Sequence, residues 1–297
     1  MTHSLASSAA AGAVAKIVSG VAHQRVDGAA HLELRRAQDG STALGDLYQR
    51  APCRVLFPMP EAGDPVLAVL LTTSGGLTDG DRTEVTAIVG SGACATLTTQ
   101  AAERIYRALD TSGETRVRFD AEIGDGAWAE CLAQETILFE GARLRRSFSA
   151  DVAAAGRLLA LESVVLGRTA MGERFDSGLL HDTWQISRDG RLVWIDALRL
   201  EGDVARLRAA PFGFGTCVAY STLVYVGPDA EQRLEGVRDS LAACGGLGAA
   251  TVLDGVMIVR AMADEAHELR AAMMTVAGDL RHAAAGLPAR LPRVWHC

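Results

Sequence analysis

The residues that could do chemistry lie in short polar stretches between apolar runs. The first stretch, residues 72–81 with the sequence TTSGGLTDGD, combines turn-forming glycines with the oxygens of Ser74, Asp79 and Asp81. Glycines permit tight turns that bring such oxygens together. A phosphate loop would need GxGxxG or GxxxxGK followed by Ser or Thr, and a serine nucleophile would need GxSxG. Neither pattern is present, so the composition of this stretch favours a structural turn.

Two further stretches place carboxylates beside guanidinium groups. Residues 98–107, TTQAAERIYR, contain Glu103 and Arg104 and could line a polar cavity, contact another protein or form a solvated loop. Residues 134–148, QETILFEGARLRRSF, place Glu135 before an apolar run. A carboxylate at the mouth of a buried strand must be paired, protonated or ligated. An ordinary charge at a strand edge is the simpler interpretation.

Possible metal ligands are few and dispersed. Residues 165–173, VLGRTAMGE, offer Glu173 and one thioether, or else form a strand that bends. His296 and Cys297 are good ligands at the chain end, but two adjacent ligands cannot complete a site alone. The seven histidines form no HxH or HExxH motif, and the six cysteines show no CxxC spacing. The residues themselves therefore identify no enzyme.

The composition excludes some classes of partner. A net charge of −7 and a pI of about 5.5 argue against nucleic acid, because neutralising phosphates needs clustered Lys and Arg. No stretch reaches the roughly 18 apolar residues of a membrane-spanning helix. The scattered cysteines are typical of reduced thiols in the cytoplasm. Residues 1–24 lack the basic start of a signal peptide and are interpreted as a mobile tail.

Short strands must position these motifs. From about residue 25 to 226, β-type runs alternate with Gly and Asp at turn positions, which favours an all-β architecture. Asp-Gly pairs predict hairpins at 188–191 and 124–126. The first would pair Trp184–Ser187 with Leu192–Ile195. The clearest strand candidates are Val66–Thr72, Thr83–Val89, Ala95–Thr99, Thr115–Ala121 and Leu158–Val165.

Helical periodicity appears only near the C-terminus. One helix is predicted between Asp229, a plausible N-cap, and Gly245, and a second between Asp264 and Gly286. The apolar face of the second helix favours packing on the protein's own sheet over docking to a partner. No linker interrupts the pattern, which predicts one domain over residues 25–297. The residues of that apolar face are Leu269, Met273, Val276 and Leu280.

Taken in order, six stretches resemble the signatures of the UreD (UreH) family of urease accessory proteins. Four are the stretches described above, and the others are RDGRLVWIDALRL at 188–200 and LPRVW at 291–295. Each is weak alone, but six in this order are specific. The chain departs from the family pattern at Thr72, where Asn is frequent, at Asp79-Gly80-Asp81 in place of GGD, and at Ala133, where Pro is frequent.

The resemblance implies a mainly β fold, helically wound or with stacked sheets, and two α-helices in the C-terminal region. It also implies a maturation factor rather than an enzyme. Such a scaffold binds the urease apoprotein and UreF, which recruits UreG, and assists nickel insertion in the cytoplasm. Nickel would be held in transit through an internal passage, with no permanently bound cofactor.

A passage for nickel needs oxygen ligands that bind the cation weakly enough to release it. Within the matched motifs, the candidates to line it are Asp81, Glu103, Glu135 and Glu173. The candidates for contact with partners are Arg104, Tyr106, Arg145 and Arg146. Two alternatives stay open. A hydrolase or transferase could use a carboxylate pair such as Asp81 and Glu135, and a nickel-storage protein could use His296 and Cys297.

Overall fold

The computed structural model describes residues 25–109 and 113–296. The mobile tail predicted at 1–24 and the candidate ligand Cys297 lie outside the described residues. About 50% of the structure is strand and 17% is helix. The strands are β1 Asp27–Arg36, β2 Thr42–Arg50, β3 Cys53–Leu56, β4 Val66–Thr72, β5 Arg82–Val89, β6 Cys94–Thr99, β7 Glu103–Ile105, β8 Thr115–Ile123, β9 Trp128–Leu132, β10 Thr136–Leu138, β11 Arg143–Val152, β12 Arg157–Leu166, β13 Ser177–Arg188, β14 Arg191–Asp203, β15 Ala219–Val226, β16 Leu247–Leu253 and β17 Val256–Ala263. The helices are α1 Val204–Ala209, α2 Ala230–Ala243 and α3 Ala266–Ala285.

Between β4 and β13 the chain winds from one sheet to the other and back. Strands β4, β6, β9 and β12 lie side by side in parallel, and so do β5, β8, β11 and β13. Each turn therefore adds one strand to each sheet. The first sheet has seven strands in the order β14-β13-β11-β8-β5-β1-β2, and the second has ten, with β7 and β10 at its side. The predicted mainly β, wound architecture is confirmed.

The two predicted hairpins have opposite outcomes. At 188–191 the hairpin is confirmed, because Arg188 pairs with Arg191 across a turn in which Asp189 and Gly190 have φ values of 50° and 74°. The hairpin at 124–126 is wrong, because β8 and β9 lie in different sheets and do not pair. Asp-Gly chemistry sets the local turn but not the sheet that the next strand joins.

Apolar side chains on the facing sides of the two sheets form the central core. Alternation along β11 is regular, with every second residue buried. Phe148 on this strand stacks on Phe119, with ring centroids 5.4 Å apart, and contacts Trp184 at 4.8 Å. Leu158 and Val226 belong to the same core from the ten-stranded sheet. The core thus requires both sheets.

The two predicted C-terminal helices are confirmed and cover the outer face of the ten-stranded sheet. The apolar face of α3 packs against residues of that sheet, including Leu159 and Val259. Its end is set by Gly286, which has a φ of 67°. The short helix α1 was not predicted, and it is capped by Asp203, whose carboxylate accepts a hydrogen bond from Arg206 N at 3.0 Å. No described helix is long and apolar enough to cross a membrane.

A buried ion pair joins α3 to the ten-stranded sheet. Arg281 and Glu130 are each 0% exposed, and Arg281 Nε donates to Glu130 Oε1 at 2.8 Å. The same carboxylate accepts hydrogen bonds from Trp128 Nε1 at 3.1 Å and Thr96 Oγ1 at 2.6 Å. Both charges are therefore satisfied without water, as burial of an ion pair demands.

Candidate functional site

A cavity of about 280 Å³ lies between the sheets, where the two stretches 72–81 and 98–107 meet. Its polar lining includes Thr72, Ser74 and Glu103, together with four arginines, Arg54, Arg104, Arg118 and Arg146. Glu162 from β12 also lines the cavity, and apolar residues of both sheets supply much of the rest. The hydroxyl of Ser74 is buried without a hydrogen-bond partner. The cavity therefore offers oxygen atoms that the protein itself does not fully use.

Glu103 is half-buried on the cavity wall, at the start of β7. Thr72 Oγ1 donates to Glu103 Oε2 at 3.0 Å, and Arg104 N donates to Oε1 at 3.2 Å. Burial raises the pKa of Glu103 in spite of these donors. Nearby Cys53 has its pKa raised to about 11 by burial and by the charge of Glu103. At neutral pH this wall therefore presents a neutral thiol rather than a thiolate beside the carboxyl group of Glu103.

Deeper in the protein, one guanidinium meets two carboxylates. Arg146 donates to both oxygens of Asp182, at 3.0 and 2.6 Å, and its Nε lies 3.1 Å from Glu162 Oε2. Because the Nε hydrogen is directed at Asp182, Glu162 Oε2 has an ionic contact but no hydrogen bond of its own. Tyr220 donates to Asp182 at 2.9 Å. Burial raises the pKa of Glu162 to about 7.

Arg146 was a candidate for partner contact, but the structure places it inside the protein. It is 4% exposed. Successive residues of a strand point to opposite sides, so Arg145 faces outward and Arg146 inward. Arg145 is half-exposed, donates to Glu114 at 3.0 Å and also contacts His181. Only the first of these two arginines is available to a partner in this structure.

The other partner candidates lie at the rim of the cavity. Arg104 is exposed. Tyr106 is half-buried, donates its hydroxyl to Gly75 O at 2.7 Å and packs edge-on against Phe139. A side chain at Gly76 would meet Arg104 O at 2.8 Å and the Tyr106 ring at 2.5 Å, and its φ is 133°. Glycine at this position therefore allows the two loops to approach each other.

Asp81 holds the 72–81 loop together from within. It is 4% exposed, its Oδ1 accepts from Val26 N at 2.7 Å, and its Oδ2 accepts from Thr78 N at 2.8 Å. These bonds tie the loop to the residues just before β1. The carboxylate of Asp81 is thus engaged with backbone amides, and it is not among the residues that line the cavity.

Glu135 belongs to a separate network that fixes the C-terminal segment. Arg270 Nη1 donates to both oxygens of Glu135, at 2.7 and 2.8 Å. Its Nη2 donates to Trp295 O at 2.7 Å and to Gln134 Oε1 at 3.0 Å, and the guanidinium lies over the Trp295 ring. The QETI and LPRVW stretches therefore meet on α3, which no sequence pattern indicated.

The remaining ligand candidates are apart from the cavity. Glu173 pairs with Arg168 and accepts from Glu140 N at 3.0 Å. His296 is exposed. Within residues 25–109 and 113–296, no group of three or more His, Cys, Asp or Glu side chains is arranged to hold a metal ion. The candidates Asp81, Glu103, Glu135 and Glu173 thus occupy four different hydrogen-bonding environments, of which that of Glu103 lies on the cavity.

The fold and the site together define a class of protein. This is a scaffold of wound parallel strands, covered by helices on one face, whose interior cavity presents oxygen groups rather than an assembled metal centre in the described residues. The family model of the UreD urease accessory protein matches residues 26–296. The chain belongs to this family, and it therefore has a role in urease maturation.

Relatives named urease accessory protein UreD resemble the chain over almost its whole length. The protein of a Methylobacterium species is 41% identical over 277 residues, which cover 92% of this chain and 95% of the relative. The protein of Rhizobium leguminosarum bv. trifolii is 38% identical, over 94% of this chain and 98% of its own. That of Agrobacterium fabrum is 37% identical, over 93% of each. This similarity supports the family resemblance found in the sequence.

Proposed function

We propose that this protein is a cytoplasmic scaffold that binds the urease apoprotein and UreF, with UreG joining through UreF, and assists nickel insertion into urease. The observation that carries the proposal is the cavity between the sheets, lined by the carboxyl groups of Glu103 and Glu162 in a chain of the urease accessory family. In this proposal the scaffold has no catalytic turnover and binds no permanent cofactor.

The oxygen atoms beside Glu103 suit a cation in transit, and the positive charges of four lining arginines weaken its binding, namely Arg54, Arg104, Arg118 and Arg146. Nickel is a borderline cation, and oxygen ligands hold it less tightly than thiolates. Glu103 and the hydroxyls of Thr72 and Ser74 supply such oxygens on one wall. Because the thiol of Cys53 stays protonated at neutral pH, it does not add a strong ligand. Weak binding favours release of the ion to the next site.

The test is neutralisation of Glu103 in cells that co-express the urease subunits and the accessory proteins. Glu103→Gln keeps the shape of the side chain and removes its charge. We expect unchanged co-purification with urease and UreF but several-fold less nickel per urease. Glu231→Gln is the matched control, because Glu231 is exposed in the first turn of α2 and does not line the cavity, and it is expected to have no effect. Asp81 and Glu135 are less suitable, since both carboxylates hold the loops together.

Other outcomes would identify other functions. Normal nickel content with both Glu103→Gln and Glu162→Gln would exclude the cavity from nickel transfer. A chain that co-purifies with neither urease nor UreF would contradict the scaffold role. Turnover by the purified chain alone would favour the hydrolase or transferase, and loss of bound nickel on deleting residues 296–297 would favour storage.

A further inference from the structure

Basic side chains form a continuous row across the outer face of the seven-stranded sheet. Arg82 on β5 lies opposite Arg116 on β8, which lies opposite Arg145 on β11. Continuing across the sheet, Arg145 lies opposite His181 on β13, and His181 lies opposite Arg199 on β14. Residues opposite each other on neighbouring strands point to the same face, and the strands are about 4.8 Å apart. We call these five residues the arginine row.

The row has more positive charge than its carboxylates neutralise. Glu114 pairs with both Arg116, at 2.9 Å, and Arg145, at 3.0 Å. Glu201 pairs with Arg199 and also with Arg143, which is 3.6 Å away. Asp27 lies opposite Arg82 but pairs with Arg50, at 2.9 Å. The four arginines of the row, Arg143 and Arg50 thus face three carboxylates, which leaves an excess of three positive charges. The chain as a whole has a net charge of −7, so the row is a local exception.

This arrangement costs stability in the isolated chain. Like charges directly opposite each other on adjacent strands repel each other and destabilise the sheet. The guanidinium groups stay accessible, since the side chains of Arg116 and Arg199 are 54% and 59% exposed. A partner that brings additional carboxylates to the row would relieve the repulsion and gain charge-assisted hydrogen bonds.

The opposite end of the same face is acidic. Glu122 on β8 and Asp151 on β11 lie opposite each other there, whereas Asp120 is neutralised by Arg118 at 2.6 Å. Glu122 lies six positions after Arg116 along the strand, a distance of about 20 Å. The face therefore has a positive end and a negative end. Such a pattern orients a partner of complementary charge and increases the rate of association.

We propose that the arginine row is a docking surface for an acidic protein surface, rich in Asp and Glu, on a component of the urease maturation complex. The proposal rests on the proposed function for the identity of the complex. Guanidinium groups bind carboxylates in a two-pronged geometry, which matches this occupant. A nucleic acid fits less well, because Glu114, Glu201 and the acidic end of the face would repel its phosphates.

The experiment compares two row variants with a control on the same sheet. Arg116→Glu/Arg199→Glu reverses two exposed charges of the row, and Arg116→Gln/Arg199→Gln removes them if the reversed chain does not fold. Arg191→Glu changes an exposed arginine at the other end of β14. Binding to the urease apoprotein and to UreF is measured by biolayer interferometry at 50 and 300 mM NaCl. Fluorescence anisotropy measures binding to a labelled 20-residue polyglutamate peptide and to a 20-base-pair DNA duplex.

We expect the wild-type chain to bind at least one protein partner with a salt-sensitive affinity. The row variants are expected to weaken that binding at least tenfold at 50 mM NaCl and to lose the salt dependence, while Arg191→Glu behaves as wild type. Folded row variants that bind as tightly as wild type would overturn the proposal. So would an equal loss with Arg191→Glu, or tighter binding of DNA than of polyglutamate.

The polyglutamate arm separates this inference from the proposed function. If the wild-type chain binds neither urease nor UreF, the proposed function fails. Binding of polyglutamate that the row variants lose and Arg191→Glu retains would still support the docking surface. Absence of such binding in that case would overturn it.

Discussion

Glu162 has an ionisation equilibrium set by its buried position. Arg146 is shared with Asp182, so it compensates only part of the desolvation of Glu162. Burial raises the pKa of Glu162 from 4.5 to about 7. Between these values the folded protein keeps a proton that the unfolded chain releases. The contribution of Glu162 to stability is therefore present below about pH 4.5 and is lost as the pH rises through 7.

Glu162→Gln removes the titrating group and retains the shape, so we expect the variant to gain stability relative to wild type as the pH rises from 5 to 8. The stability difference between Glu162→Gln and wild type should change by about 2.5 kcal/mol over this range, since one pKa unit corresponds to about 1.4 kcal/mol. Urea unfolding at pH 5, 6, 7 and 8 measures it. Glu122→Gln serves as the exposed control, and parallel profiles of Glu162→Gln and wild type would contradict the prediction.

Single residues also show what the sequence could and could not predict about the site. Glu103 was selected by its motif, and it does line the cavity. The sequence analysis missed Glu162. Its position within the apolar run Leu158–Val165 is nevertheless a usable signal, because a charged side chain in a buried strand needs a compensating partner. Arg146 was misplaced because its direction depends on the strand register. The arginine row could not be predicted from the sequence, because its members become neighbours only when the strands that carry them are aligned in the sheet.

At the scale of elements, the β13–β14 hairpin tests how turn chemistry supports the sheet. Gly190 has a φ of 74° and free space around it, so conformation alone disfavours a side chain there. We expect Gly190→Ala to lower the free energy of unfolding by about 1 kcal/mol. Gly236→Ala in α2 is the matched control, because Gly236 also has free space, and it should raise stability by about 0.5–1 kcal/mol. Thermal unfolding of both variants measures the effects, and changes of the same sign would refute this account.

Elements were predictable where local patterns determine them. The run Val66–Thr72 coincides with β4, and the periodic face with Leu269 and Met273 predicted α3. The prediction of a hairpin at 124–126 was wrong because the same turn can join two paired strands or lead the chain from one sheet to the other. Helix α1 has only six residues, too few for periodicity to reveal. The C-terminal anchor through Arg270 depends on contacts distant in sequence.

At the scale of the whole molecule, the distribution of ligand atoms predicts weak metal binding. The described residues contain no group of three potential ligands, and burial raises the pKa of the thiols of Cys53 and Cys94 to about 11. We expect the isolated chain to bind nickel with a Kd of about 1 μM or weaker, equivalent to about −8 kcal/mol. Calorimetric titration of the metal-free protein at pH 7 measures it, with Glu103→Gln expected to bind more weakly still. A nanomolar site retained in the presence of apo-urease would favour storage.

The alternate winding of the strands has a consequence for how the chain reaches its native state. Partners in neighbouring turns are far apart in sequence: Thr96 and Glu130 are separated by 34 positions, and Arg146 and Asp182 by 36. Strands that pair over such separations form slowly, because the entropy of loop closure must be overcome first. During synthesis on the ribosome, we expect each completed turn to present an edge to which the next turn adds in order. Dilution from denaturant instead exposes every strand edge simultaneously. We therefore expect less aggregation when the chain folds during synthesis than when it refolds from denaturant.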